Sequence, residues 1–208
     1  NYMALVKYNN NSISAITSAA AIPAGAMTLI KSQTASSSAT ISFVHGTSDV
    51  VLDGTYPIYL FKFINCHPSN NTVGLYFNGS TDGGSNYNVT KTTTYFLVRH
   101  QEDASSNELS YKTDLDLAQS TGFQPLSIDQ VNDNDASVCG FLHLYNPSNT
   151  TFVKHFISRT QESRNVSSME NYVGGYFNTT SAINAIQFKF NSGNIDAGTI
   201  KLYGIKDS

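Results

Sequence analysis

The sequence predicts an all-β protein, an antiparallel two-sheet β-sandwich preceded by an extended N-terminal arm. Three observations predict it. After Met27, apolar residues fall on every second position in run after run, the period of a half-buried strand. Clusters of Gly, Pro, Asn and Ser recur at short spacing between those runs, giving about eleven strands and no convincing helix. Nothing alternates strand with helix, which excludes a parallel α/β sheet. A sandwich of 208 residues is routine as one unit. A chain of this length buries roughly 70–75% of its unfolded surface, enough for a full core.

The last stretch, Ile183 to Ile205, organises the rest. Ile186, Phe188 and Phe190 alternate with Gln187 and Lys189, and Ile200 and Leu202 flank Lys201. Residues 191–198 between them (NSGNIDAG) are rich in turn formers. The expectation is a C-terminal β-hairpin tied into the core.

The elements in chain order follow the same logic. Residues 1–27 are small, polar or alanine-rich, closed by Pro23 and Gly25. They are too Ser/Asn-rich to hold a helix alone. Ile13, Ile16 and Ile22 are apolar anchors without a core of their own, so these three and Pro23 are the candidate assembly residues of an arm that orders against a partner. The alternative is a frayed tail. Met3 reads as the natural start, with Asn1 and Tyr2 an addition or processing remnant. The N-terminus shows no basic segment followed by an apolar run, so no signal peptide is expected.

From residue 28 to 208 the sandwich is expected as a single domain. Strands are predicted over 28–33, 39–45 and 58–65; the last, IYLFKFIN, is apolar on both faces, as a central strand buried on two sides would be. Further strands fit 72–78 and 89–99, the second carrying a Thr run. Residues 101–137 are the least regular and hold eight of the 15 acidic residues. Short strands fit 108–112 and 124–129, with one helical turn at 114–120. Runs 138–146 and 151–159 form a hairpin about Asn146-Pro147-Ser148-Asn149-Thr150. Residues 162–168 read as a polar loop, and 170–177 as a strand.

Composition excludes several functions. Charged residues make up 13% of the chain, about half the usual share, and the net charge is −3. That gives no basic face for nucleic acid. No run is long and apolar enough for a membrane-spanning helix. Ser, Thr and Asn fill the polar positions, a surface suited to packing against other copies with little charge to desolvate. Cys66 and Cys139 are too few for a disulfide framework and read as two buried thiols rather than a bridge.

The search for chemistry returns no catalytic, cofactor-binding or metal residues. Asp114 and Asp116 form an acidic pair without the context of a glycosidase site. Asp129, Asp133, Asn134 and Asp135 resemble part of a calcium loop but lack its Gly at position six and Glu at position twelve. His143 and His155 flank one hairpin loop, and zinc would need two further ligands. Cys139 has no partner pattern for an activated thiol. The loop NGSTDGGSN joins two strands and opens no helix, so it is not a phosphate cradle. Its Asn78, Asp82 and Asn86, with Tyr87, are the candidate ligand-facing group, sugar being the ligand such loops contact. Tyr87, Tyr95, Tyr111 and Tyr172 are candidate stacking residues, against half-buried strand tyrosines as the plainer reading. Sequons at Asn71, Asn88 and Asn178 arise readily in an Asn/Thr-rich chain.

Four stretches carry a resemblance to a known family. GSNYNVTKTTTYF (84–96), DLAQSTGFQ (116–124), LHLYNPSNTTFVKHFISR (142–159) and SGNIDAGTIKLYGI (192–205) resemble virion structural proteins of tailed bacteriophages, especially marine and cyanobacterial ones. The opening MALVKYNNNSISAIT is similar to the starts of such proteins. The resemblance covers nearly the whole chain, and SGNIDAGTIKLYGI is its most specific part. It implies a jelly-roll-like sandwich on the particle exterior, as a capsid decoration, fibre-associated or tail component. It implies no catalytic residues and no cofactor. The partners then expected are other copies, as a homotrimer, and other virion proteins of the capsid or tail. A host surface glycan bound by a fibre-tip module is the alternative.

Overall fold

The structure is a computed structural model and describes residues 26–206. Twelve strands build it: β1 Met27–Thr34, β2 Ile41–Val44, β3 Ile58–Pro68, β4 Leu75–Ser80, β5 Lys91–Gln101, β6 Asn107–Tyr111, β7 Gln124–Pro125, β8 Val138–Tyr145, β9 Lys154–Arg164, β10 Ser167–Phe177, β11 Ala185–Phe190 and β12 Ile195–Ile205. Among the described residues there is no helix. An eight-stranded sheet runs β1-β12-β3-β8-β9-β10-β5-β6, and a four-stranded sheet runs β2-β11-β4-β7. Every neighbouring pair is antiparallel.

Alternation places the core between the sheets. Phe188 of β11 is its centre, within 5.2 Å of the Phe61 and Phe63 rings of β3 and 6.3 Å of Phe43 of β2. Phe77 of β4 meets Phe156 of β9 edge-to-face at 4.9 Å. All five of Phe43, Phe61, Phe77, Phe156 and Phe188 are fully buried. Each such ring contributes roughly 1.5–3 kcal/mol by leaving water. Edge-to-face pairs add about 0.5–1.5 kcal/mol more.

The small sheet is too narrow to cover all of the large one. Residues 113–130 close the remainder, over β9, β10 and β5, by short backbone bridges and by side-chain bonds rather than a long strand ladder. Thr93 Oγ1 donates to Gln124 Oε1 at 2.5 Å and accepts from the Leu117 amide at 2.8 Å. Thr160 Oγ1 donates to the Leu126 carbonyl. The Leu75 amide donates to Ser127 Oγ at 2.9 Å. Buried Tyr95 donates to Asn171 Oδ1 at 2.7 Å. Buried polar side chains that pair in this way satisfy an irregular segment's backbone.

Four expectations need correction. The C-terminal pair is not a hairpin: β11 pairs with β2 and β4, while β12 pairs with β1 and β3, in the other sheet. Residues 191–194 carry the chain across. Both strands turn an apolar face to the same interior, so alternation is identical whether they share a sheet or face one another. Residues 162–168 are not a loop either. β9 and β10 run on to a tight turn at Asn165, which takes φ 48°. Their inward residues there, Glu162 and Ser167, are buried but polar, which hides the strand pattern. Residues 114–120 form no helical turn. The chain bends where the Leu115 amide reaches the Lys112 carbonyl at 3.2 Å, and Ser120 then bridges to Lys91. Strand β3 is central, as expected, but only its inner face of Tyr59, Phe61 and Phe63 is wholly buried; Ile64 on the outer face is exposed.

The arm residues Ile13, Ile16, Ile22 and Pro23 lie outside the described residues. The sheet itself begins at Met27, one residue before the expected domain boundary.

Candidate functional site

The Asn78–Asn86 loop is built around its own polar groups. Asn78 is fully buried, so it is not ligand-facing. Its amide NH2 donates to the carbonyls of Tyr87 at 2.7 Å and Thr121 at 2.9 Å. Its Oδ1 accepts from the Gly79 amide. It ties the loop to residues 121–122. Asp82 is exposed, but Oδ1 accepts from Ser80 Oγ at 2.6 Å and from the Asn86 amide at 2.9 Å. Its Oδ2 accepts from Asn86 Nδ2 at 2.7 Å. These bonds to the charged form pull its carboxyl down to about 2. Tyr87 is half-buried.

Two of the other acidic candidates are also engaged. Asp116 accepts from the Tyr111 hydroxyl, and Asp129 pairs with Arg164 at 3.1 Å. Among the described residues no three His, Cys, Asp or Glu side chains converge as a metal group would need. His143 and His155 share the outer face of the large sheet, set by the β8–β9 register in which Leu144 opposes Phe156. Cys66 and Cys139 are both free; Cys66 is buried, which pushes its thiol up to about 12, but Cys139, expected to be buried too, is part-exposed because it faces outward on β8.

The outer face of the eight-stranded sheet is the surface the sequence did not single out. Registers align one row across it: Lys62 of β3, Phe141 of β8, Arg159 of β9, Tyr172 of β10, Phe96 of β5 and Tyr111 of β6. Phe96 and Tyr172 stack with centroids 4.6 Å apart, and the Arg159 guanidinium sits 5.2 Å over the Tyr172 ring. The next row sets Val98 beside Leu109. Exposure rises towards the β6 edge: Phe96 40%, Val98 40%, Tyr111 52% and Leu109 74%. One ion pair borders this apolar corner on its own face, Arg159 with Glu170, and a second cluster about Glu108 and Arg99 lies on the opposite face of β5 and β6. Glu170 accepts from Arg159, and Glu108 pairs with Arg99 at 3.2 Å and Lys112 at 2.6 Å. Both glutamate carboxyls are held below the ordinary range, Glu170 by Arg159 and Glu108 by Lys112. Among the described residues strand β6 also ends the sheet, so one side of its backbone has no strand partner there.

An exposed apolar patch with a polar rim marks an interaction surface. A signal for it exists in Tyr95-Phe96-Leu97-Val98, where large apolar groups occupy consecutive positions. One core face takes Tyr95 and Leu97, so Phe96 and Val98 must point out. Of the candidate stacking tyrosines, Tyr95 is buried and hydrogen-bonded, whereas Tyr111 and Tyr172 belong to this outer face. In comparisons with known proteins, the chain matches no family model, no curated protein and no solved structure.

Proposed function

We propose that this chain is a non-enzymatic structural subunit of a tailed-bacteriophage virion, held on the particle exterior as a capsid decoration or fibre-associated protein. The observation that supports it most is the apolar corner of Phe96, Val98, Leu109 and Tyr111 at the open edge of the large sheet. Such a corner is stabilised when a neighbour covers it. The sparse charge of the surface favours packing between copies, since little desolvation opposes contact.

In this reading the sandwich is jelly-roll-like, residues 1–27 are a docking arm, and copies assemble as trimers. The arm's reach is compatible with that. It joins the sheet at Ala26, whose carbonyl accepts from the Lys206 amide beside β1. Strands spaced ~4.8 Å put β1 about 34 Å from β6. Residues 1–25, fully extended, span about 80 Å, so an arm can cross to a neighbour's corner. Ile13, Ile16 and Ile22 are the groups it would bury there.

Light scattering on the purified full chain tests assembly. A trimer is expected, and the paired change Val98→Asp, Leu109→Asp is expected to yield folded monomer. A chain monomeric at every concentration overturns the assembly. Cryo-electron microscopy of the phage particle tests location, and an exterior without the sandwich overturns the virion role.

A further inference from the structure

We propose that a trough across β8, β9 and β10, on the outer face of the large sheet, binds a neutral oligosaccharide. It lies at the end of the sheet nearest the β8–β9 loop, several residues along the strands from the Val98–Leu109 corner. It stands independently of the assembly reading.

Part of the trough is open because one side chain is missing. Gly174 lies on the outer face between Ile157 of β9 and Thr94 of β5. A Cβ built there would meet only Thr94 Oγ1, at 3.7 Å, so nothing in the packing demands glycine. Its neighbour Gly175 is different. It points inward, where a Cβ would lie 2.6 Å from the Thr92 carbonyl oxygen. Gly175 is explained by crowding; Gly174 leaves an opening.

Gly174 lines a hollow of about 470 Å³, a second of about 520 Å³ lies against the β8–β9 loop, and His155 lines both. Rings form their walls. His155 and Tyr176 are cross-strand neighbours with centroids 6.0 Å apart. Tyr145 flanks the second hollow, and Phe152 of the β8–β9 loop, 69% exposed, overhangs it. The loop is fixed by Asn149, whose Oδ1 accepts from the Thr151 and Phe152 amides at 2.7 and 2.8 Å.

Three uncharged polar groups at the trough are free to bind a ligand. Among the described residues, the Asn149 NH2 and the Tyr145 and Tyr176 hydroxyls have no protein partner. No lysine, arginine, aspartate or glutamate lines either hollow, although the same sheet face carries Arg159, Glu170 and Lys62. A charged ligand finds no counter-charge here. An apolar peptide would strip water from amide and phenol groups without replacing their hydrogen bonds, which opposes binding. A sugar ring satisfies both demands: its C–H face stacks on a ring, and its hydroxyls bond the amide and phenols at the rim. Two hollows accommodate about two hexose units.

Calorimetry and amide NMR of the full chain against a panel of neutral hexasaccharides, with a heparin hexasaccharide as the anionic probe, test this. At least one neutral glycan is expected to bind with Kd of about 1 mM or tighter, perturbing amides around residues 145–157 and 174–176. Gly174→Leu adds bulk where a Cβ has room and is expected to weaken binding at least about tenfold, as is Tyr176→Ala. Thermal melting checks that both variants fold. Asp82→Ala, in a loop that lines neither hollow, is expected to leave binding unchanged. No binding by any neutral glycan, tighter binding of heparin, or binding indifferent to a folded Gly174→Leu variant each overturns the proposal.

Discussion

Replacing Glu162 by glutamine should flatten the pH dependence of stability between about pH 4.5 and 8. Glu162 lies on β9 facing inward, fully buried beneath residues 126–128. One carboxylate oxygen accepts from Asn171 Nδ2 at 3.2 Å and from the Ile128 amide at 3.4 Å. The other has no partner. Burial pushes the carboxyl up to about 8, and nearby Asp129 adds to the rise. The folded state therefore keeps a proton that the unfolded chain, with a carboxyl near 4.3, has released. Stability is full below the unfolded value, falls as pH rises through the window, and levels off above pH 8. Every tenfold difference in proton affinity between folded and unfolded chain is worth about 1.4 kcal/mol, so the loss is on the order of a few kcal/mol. Glutamine has the same shape and no proton to lose. Urea unfolding from pH 5 to 8.5 should show the variant gaining on the wild type as pH rises, with little difference at pH 5. Every other ionisable group is common to the two proteins, so the difference isolates Glu162. Parallel profiles across that range would refute the argument and mean that water reaches the carboxylate.

Other perturbations read other layers. Phe188→Ala empties the ring cluster of Phe43, Phe61, Phe63 and Phe77; it should cost about 3–5 kcal/mol and lower Tm by roughly 10 °C by calorimetry. Asn78→Ala strips donors from two buried-side carbonyls; chemical denaturation should show a loss of about 1–3 kcal/mol, with hydrogen exchange rising at residues 79–87. Gly175→Ala forces a Cβ to 2.6 Å from the Thr92 carbonyl. It should destabilise the fold by about 1–3 kcal/mol, whereas Gly174→Ala should change it by less than about 0.5 kcal/mol.

Much of this protein was legible in its residues. Alternation located β1, β3, β5, β8, β9, β11 and β12 to within a few residues, because a half-buried strand must repeat every second position. It also gave the β8–β9 hairpin, where a short polar loop leaves the chain no other route. It failed at β9 and β10 near Asn165, where the inward groups are Glu162 and Ser167. A buried polar residue looks like a surface residue until its partners are known, and Asn171 is distant in the fold's logic from anything the local pattern shows. Asn78 misled for the same reason: in a Gly-rich polar stretch, a buried amide and a solvent-facing one are spelled alike.

The residues alone determined that the chain is all strand, antiparallel, and closed over an aromatic interior. Only tertiary structure decided which sheet each strand joins. A side chain's periodicity reports that it faces the interior, but both layers of a sandwich face one interior, so β11 and β12 read as a hairpin yet belong to opposite sheets. The same ambiguity hid the exposed row from Lys62 to Tyr111 and the opening at Gly174. Each residue there is ordinary in sequence, and the surface arises from strand registers that bring distant positions side by side.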